Sequence, residues 1–240
     1  MTYQKGAQLY EGKAKKVYTT NDPEVLIVDY KDDATAGNGA KKGTIHDKGI
    51  INNRMSNFMM KKITETYGVP THLIEEISDR ETVVKKCSIV PLEVIVRNIA
   101  AGSFSKRLGV EEGTELACPV LEFCYKDDAL GDPMVNEYHI LAMKWATREE
   151  LDTIGDYTFK VNQFLKDYML KNCNIVVVDF KIEFGRLSDG TIVLADEISP
   201  DTCRFWDADT HEKLDKDRFR RDLGGEEDAY KEVMKRLMGE

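Results

Sequence analysis

The sequence predicts an α+β protein of two lobes, a β-rich N-terminal lobe over residues 1–86 and a larger α/β lobe over residues 87–240. Short apolar runs broken by Gly turns fill the N-terminal part around a single helical stripe. A helix opened by a capping box at Thr147 and a terminal helix from Glu226 to Met238 follow in the C-terminal part. Between the two lobes Lys86 to Pro91 reads as an extended junction, the candidate hinge.

With 240 residues, 42% hydrophobic and 32% charged, the chain can bury a substantial core. Neither an apolar leader nor a run long enough to cross a bilayer is found, so the expectation is a cytoplasmic protein with no membrane partner. The five cysteines lack CxxC spacing and the four histidines form no HxH or HxxxH pair, which argues against a disulfide framework or a zinc site. A net charge of −9 argues against general nucleic-acid affinity, which depends on neutralising phosphates with Lys and Arg. Small phosphorylated ligands remain open, because they need only a few cations placed together.

Leu9 to Tyr18 reads as strand, Gly turn, strand, with Gly12 between the strands and Lys13, Lys15 and Lys16 beside it. A Gly turn lets backbone approach a ligand and the lysines favour polyphosphate, although a solvated basic hairpin has the same pattern. Val25 to Tyr30 is a short strand. The next segment, KDDATAGNGAKKG, reads as a long polar loop.

Asp47 is the expected N-cap of a helix from Lys48 to Tyr67, with Ile51, Met55, Met59 and Ile63 on its buried stripe and Gly68 to Pro70 as its stop. Thr71 to Lys86 and Ser88 to Asn98 then read as β-structure. Free backbone N–H and C=O groups along the hinge between them could read the edge of an adenine ring. A short helix opens at Gly102-Ser103, where Ser103 and Arg97 could hold a phosphate or Ser103 could simply cap the helix. Glu111 to Glu137 reads as mostly irregular. Thr147-Arg148-Glu149-Glu150 is a capping box that starts a helix running to about Lys171.

Val176 to Asp207 carries acids where a hairpin should not want them. Alternation puts Asp179, Lys181 and Glu183 on one face and Phe180, Ile182 and Phe184 on the other. Asp189-Gly190 is the strongest turn signal in the chain, and as a two-residue loop it would set Glu183 directly across from Asp196. A three-residue loop would break that register. Carboxylates paired in this way lie about 5 Å apart at Cβ and repel. Either a hard divalent cation sits between them, or a lysine or arginine relieves an exposed acidic edge.

Side by side, LYEGKAKKVY, DDATAGNGAKK, IVPLEVIVRNIAAGSFSKR, KDDALGDPMVNE, VVDFKIEFG, LADEISPDTCRFWD and DKDRFR closely resemble, in order and over essentially the whole chain, the SAICAR synthetases of bacterial purine biosynthesis. The resemblance implies a two-lobed fold with ATP in the cleft, and a ligase that joins L-aspartate to the carboxylate of carboxyaminoimidazole ribotide. It also implies Mg²⁺, a homodimer, and roles for individual positions. Glu183 and Asp196 match the metal acids, and Lys181 would lie near the reacting carboxylate. Gly12, Lys13 and Lys15 match the phosphate-covering hairpin, and Lys86 with Cys87 the adenine hinge. Arg97, Ser103, Arg204 and Arg220 match ribotide-holding residues, while Lys126, Asp132 and Asp201 look like further substrate-pocket residues. Asp33 and Thr35 are the candidates for the aspartate pocket.

Two other readings stand beside this one. A small-molecule kinase would use the same hinge, Gly turn and paired acids, but would leave phosphate on its acceptor. A silent nucleotide-binding module would have no use for Lys181 beside the acids.

Overall fold

In the computed structural model, which describes residues 2–37 and 39–239, β1 (Gln8–Glu11), β2 (Lys15–Thr19) and β3 (Val25–Tyr30) form an antiparallel meander. The polar segment after β3 is ordered as a hairpin of its own, β4 (Asp33–Ala36) and β5 (Lys41–Thr44), so the loop expected there is corrected to strand. Ala34 on β4 reaches a small core with Ile45, Ile51, Phe219 and Tyr230, which pins a hairpin too polar to be recognised by pattern.

Helix α1 spans Lys48–Tyr67, as its stripe predicted, but Asp47 does not cap it. Asp47 is left-handed, at φ 62°, and the orphan N–H of Gly49 donates instead to Asp32 Oδ1 at 2.8 Å. Strands β6 (Leu73–Glu76) and β7 (Glu81–Lys85) complete the first sheet, ordered β1-β2-β3-β7-β6.

The second sheet begins with β8 (Ser88–Ile89) and β9 (Leu92–Ile99), followed by α2 (Gly102–Leu108). The segment expected to be irregular contains the long strand β10 (Glu115–Tyr125), followed by β11 (Met134–Val135). Pro119 hid β10 from the sequence, since proline cannot donate to a ladder. It falls where the β9–β10 register shifts, between Glu115 and Val120. Helix α3 (Glu137–Ala142) leads to α4 (Arg148–Cys173), which carries the predicted capping box.

Strand β12 (Ile175–Arg186) is the spine of this sheet. It pairs with β9 on one side and, in succession, with β14 (Cys203–Asp207) and β13 (Ile192–Ala195) on the other. Phe180, Ile182 and Phe184 are at most 1% exposed and join Met55 and Met59 of α1 and Leu165 of α4 in the main core. Burial of such side chains is worth on the order of 2 kcal/mol each, enough to fix which face of β12 looks outward. That outward face holds Asp179, Lys181 and Glu183. Helices α5 (Asp217–Arg220) and α6 (Glu226–Met238) close the chain.

The hairpin register differs from the expected one. The connection is three residues, Ser188 to Gly190: Leu187 N–H donates to Thr191 O at 2.9 Å and Gly190 sits at φ 87°. Glu183 therefore faces Ala195, and Asp196 lies one residue beyond the strand, itself left-handed at φ 58°.

Candidate active site

The outward face of β12 forms one wall of a cleft of about 510 Å³. Lys181 and Glu183 rise from β12, Glu93 from β9, and Lys126 from just after β10. Asp196 and Glu197 come from the chain leaving β13. Gly12, Lys13 and Lys15 of the β1–β2 hairpin face them, and Asp33 and Thr35 of β4 line another side, with Asp132, Asp201 and Arg220 also in the lining. Lys86 and Cys87 are not in that lining, although Cys87 is close enough to Glu183 to feel its charge, which adds to burial in pushing the thiol up to about 11.

Cations and acids alternate across this wall. Lys126 Nζ donates to both carboxylate oxygens of Glu183 at 2.6 Å, and Lys181 Nζ donates to Glu93 Oε1 at 2.5 Å while standing 3.9 Å from Glu183 Oε1. Lys15 Nζ bridges Asp196 at 2.5 Å and Glu197 at 2.9 Å. Burial, then the charge of Asp196, raises the Glu183 pKa. Burial alone would raise Asp196 too, but the charge and hydrogen bond of Lys15 pull it below the ordinary carboxylate range. The two acids therefore share one electrostatic field despite the shifted register, because the left-handed turn at Asp196 returns its side chain to the cleft. Buried His72 is pushed down to about 4 by burial and by Lys15, which keeps it neutral beside this lysine.

A smaller cavity of about 100 Å³ adjoins the cleft and shares Lys181, Asp201, Thr202 and Arg220 with it. Arg97 and Arg204 line it, both bound to Asp179: Arg97 Nη1 at 2.7 Å and Arg204 Nη1 at 2.8 Å from Oδ2. Arg204 Nε also donates to Asp217, which receives Arg220 Nη1 at 2.7 Å. Ser103 does not cap α2, whose N-cap is Ala101; its hydroxyl accepts from Arg97 Nη2 at 3.2 Å. Gly102 is obligatory beside it, at φ 53° and with Arg204 lying where a Cβ would be.

Several residues of this region were not legible in the sequence. Lys48, fully buried on α1, donates to Asp201 Oδ2 at 2.8 Å, and Tyr230 of α6 donates to Oδ1 at 2.5 Å. Glu93, Glu197 and Lys216 also line the cleft. The alternation of β12 pointed to Asp179, but its arginine partners come from other strands. Among the described residues no three His, Cys, Asp or Glu side chains gather into a metal cluster, and no helix is long and apolar enough to cross a membrane.

A family model described as SAICAR synthetase matches residues 8–237. The chain belongs to the SAICAR synthetase family. Its relatives include a phosphoribosylaminoimidazole-succinocarboxamide synthase of Lachnoclostridium phytofermentans, 67% identical over 96% of this chain and 97% of that one. Another from Clostridium botulinum is 61% identical over 95% and 97%. Among solved structures, the phosphoribosylaminoimidazole-succinocarboxamide synthase of Ehrlichia chaffeensis superposes with a TM-score of 0.94 at 47% identity, covering 97% of this chain and 98% of that one. A SAICAR synthetase in complex with ADP superposes with a TM-score of 0.92 at 48% identity, covering 96% and 97%. The resemblance carried by the motifs is borne out, and with it the assignment to ATP-dependent amide-forming ligases of the SAICAR synthetase type.

Proposed function

We propose that this chain joins L-aspartate to the carboxylate of carboxyaminoimidazole ribotide, consuming ATP and releasing ADP and phosphate. The observation that carries this reading is the meeting of three cation-bearing elements around one cleft and its adjoining cavity: the Gly12–Lys15 hairpin, the Lys181–Glu183 wall and the arginine pocket of Arg97, Arg204 and Arg220.

A carboxylate is a poor electrophile. The carboxylate oxygen of the ribotide attacks the γ-phosphorus of ATP and ADP leaves; the neutral aspartate amine then attacks the acyl carbon, and phosphate and a proton depart. Catalysis of such a transfer is mainly positioning and charge stabilisation. Lys13 and Lys15 hold the polyphosphate under the hairpin, with Lys86 and Cys87 at the adenine end. The arginine pocket, with Ser103, anchors the ribotide phosphate and so sets its carboxylate against Lys181. The Lys181 ammonium is kept charged: burial opposes it, but the charges of Glu93 and Glu183 more than compensate. Lys126 and Asp132 contribute further substrate contacts, while Asp33 and Thr35 face the amine acceptor.

Glu183 and Asp196 fit a magnesium ion by donor chemistry, since two hard carboxylates in one field suit an ion that takes one or two carboxylates and completes its shell with water and phosphate oxygens. When bound there, Mg²⁺ would neutralise charge on the phosphates. The same proposal includes a homodimer in the cytoplasm, no nucleic-acid partner, and a lobe boundary at residues 86 and 87.

Incubation with ATP, Mg²⁺, the ribotide and L-aspartate tests the reading. Aspartate-dependent release of ADP and phosphate with a new amide is expected. Phosphate left on an acceptor would indicate a kinase, nucleotide binding without turnover a silent module, and either would overturn it.

A further inference from the structure

We propose that the Lys216 ammonium is the specificity-determining contact for the amine acceptor, receiving one carboxylate of L-aspartate; this rests on the ligase reading. Lys216 immediately precedes α5 and lines the main cleft, its side chain 13% exposed. Its carboxylate partner, Asp201, is shared. Asp201 Oδ2 accepts from Lys48 at 2.8 Å and from Lys216 at 3.3 Å, while Oδ1 is taken by the Tyr230 hydroxyl. One carboxylate thus serves two ammonium groups, while Arg220, itself paired with Asp217 at 2.7 Å, reaches the Asp201 carbonyl at 3.3 Å.

The rest of the cleft is balanced differently. Lys13, Lys15, Lys126 and Lys181 each have a carboxylate at 2.5 to 2.6 Å. At the Lys216 corner two ammonium groups, Lys48 and Lys216, instead share a single carboxylate. Burial lowers the Lys216 pKa, and Lys48 and Arg220 add to that against the opposing pull of Asp201. An arriving carboxylate would supply the counter-charge that this ammonium lacks.

The available anions narrow the choice. The polyphosphate has the lysines of the β1–β2 hairpin. The ribotide phosphate has the arginine cavity, whose lining includes Arg97, Arg204 and Arg220 but not Lys216. Only the acceptor's carboxylates are left without a cation. The hairpin bearing Thr35 is also docked on this corner: Lys41 bonds the Phe219 carbonyl and lies 4.5 Å over the Phe219 ring, three residues on from Lys216. Lys216 and Thr35 both line the cleft.

The test is steady-state kinetics and succinate binding on the full chain, comparing wild type with Lys216→Met, Lys216→Gln and Lys216→Arg. In both neutral variants, kcat/KM for L-aspartate should fall at least ~10-fold, as expected for loss of a charged contact, with the apparent KM for ATP and for the ribotide moving less than about threefold. Succinate, a dicarboxylate without the amine, should inhibit wild type competitively with aspartate and bind the neutral variants at least ~10-fold more weakly, while Lys216→Arg restores most of the loss. If Lys216→Met does not fold, Lys216→Gln carries the comparison, because its amide can still donate to Asp201. Unchanged aspartate and succinate parameters in a folded neutral variant, or a rise confined to the ribotide KM, would overturn the assignment of Lys216. Absence of amide product from wild type would instead overturn the ligase reading on which it rests.

Discussion

Lys126 donates from one ammonium to both carboxylate oxygens of Glu183, 2.6 Å from each, although Lys126 is largely exposed and Glu183 is buried. A solvent-exposed cation thus covers a buried acid whose pKa burial and Asp196 hold up. This is a contact that an incoming metal can displace cheaply, since the lysine returns to water.

Replacing Glu183 by Gln tests that relationship. The amide keeps an acceptor for Lys126 and removes the repulsion with Asp196, so the thermal midpoint of the free protein should stay level or rise at pH 7.5. Turnover should drop about 100-fold or more, roughly 3 kcal/mol of lost transition-state stabilisation. Wild-type turnover, at any magnesium concentration, would remove Glu183 from the metal proposal.

Asp179 joins two guanidiniums, from Arg97 and Arg204, in a buried setting. Asp179→Asn leaves both arginines underneutralised, though Arg97 keeps Glu122 and Arg204 keeps Asp217. Because removing one partner of a buried pair costs about 3–5 kcal/mol, and two alternative acids remain, a loss near about 3 kcal/mol in urea unfolding is expected. The ribotide KM should rise about 10-fold with the ATP KM little changed. Equal effects on both substrates would mean that Asp179 supports the fold without orienting the pocket.

The stability of the free protein should depend on pH in two opposite ways. Asp217 and Glu112 are both lowered to about 2, Asp217 by Arg204 against burial and Glu112 chiefly by its hydrogen bond from Arg221. Their contributions are present above their ordinary values of 3.8 and 4.5 and are lost as the pH falls through 2. Asp215 is raised to about 7, first by burial and then by Asp217, from an ordinary 3.8. Its contribution is full below 3.8 and is lost as the pH rises through 7. Asp215→Asn should therefore gain on wild type steadily between pH 4 and 7 in urea midpoints, whatever constant offset the lost acceptor for Phe205 N–H or Asp217 N–H introduces. A pH-independent difference would show that Asp215 does not titrate there.

What the sequence disclosed depended on how local the signal was. The capping box at Thr147 and the alternation of β12 are written within a few residues, and both elements form as expected. Lys48 looked like an ordinary helix-opening lysine because its partner Asp201 is 153 residues away. The same holds for Ser103, whose role depends on Arg97 lying beneath it, and for β10, where Pro119 masks a strand that tolerates it only at a register shift. Asp-Gly announced the β12–β13 turn correctly but is shared by two-residue and three-residue loops, so it could not fix the pairing.

That last ambiguity gives the final prediction. Gly190 ends the three-residue connection at φ 87°, exposed and with nothing within 4 Å of a Cβ placed on it, so any cost of substitution there is conformational. Ala should destabilise by about 1–2 kcal/mol, the cost of left-handed backbone for an ordinary residue, and Asn by less because it tolerates that region. Turnover should change little in either variant, since β12 is held on both sides by β9, β13 and β14 and the loop tip lies outside the cleft. The order Gly, Asn, Ala in urea midpoints is the expected result. Equal stability of all three would mean that position 190 is not held left-handed, and the pairing of Glu183 with Ala195 would lose its support from the turn.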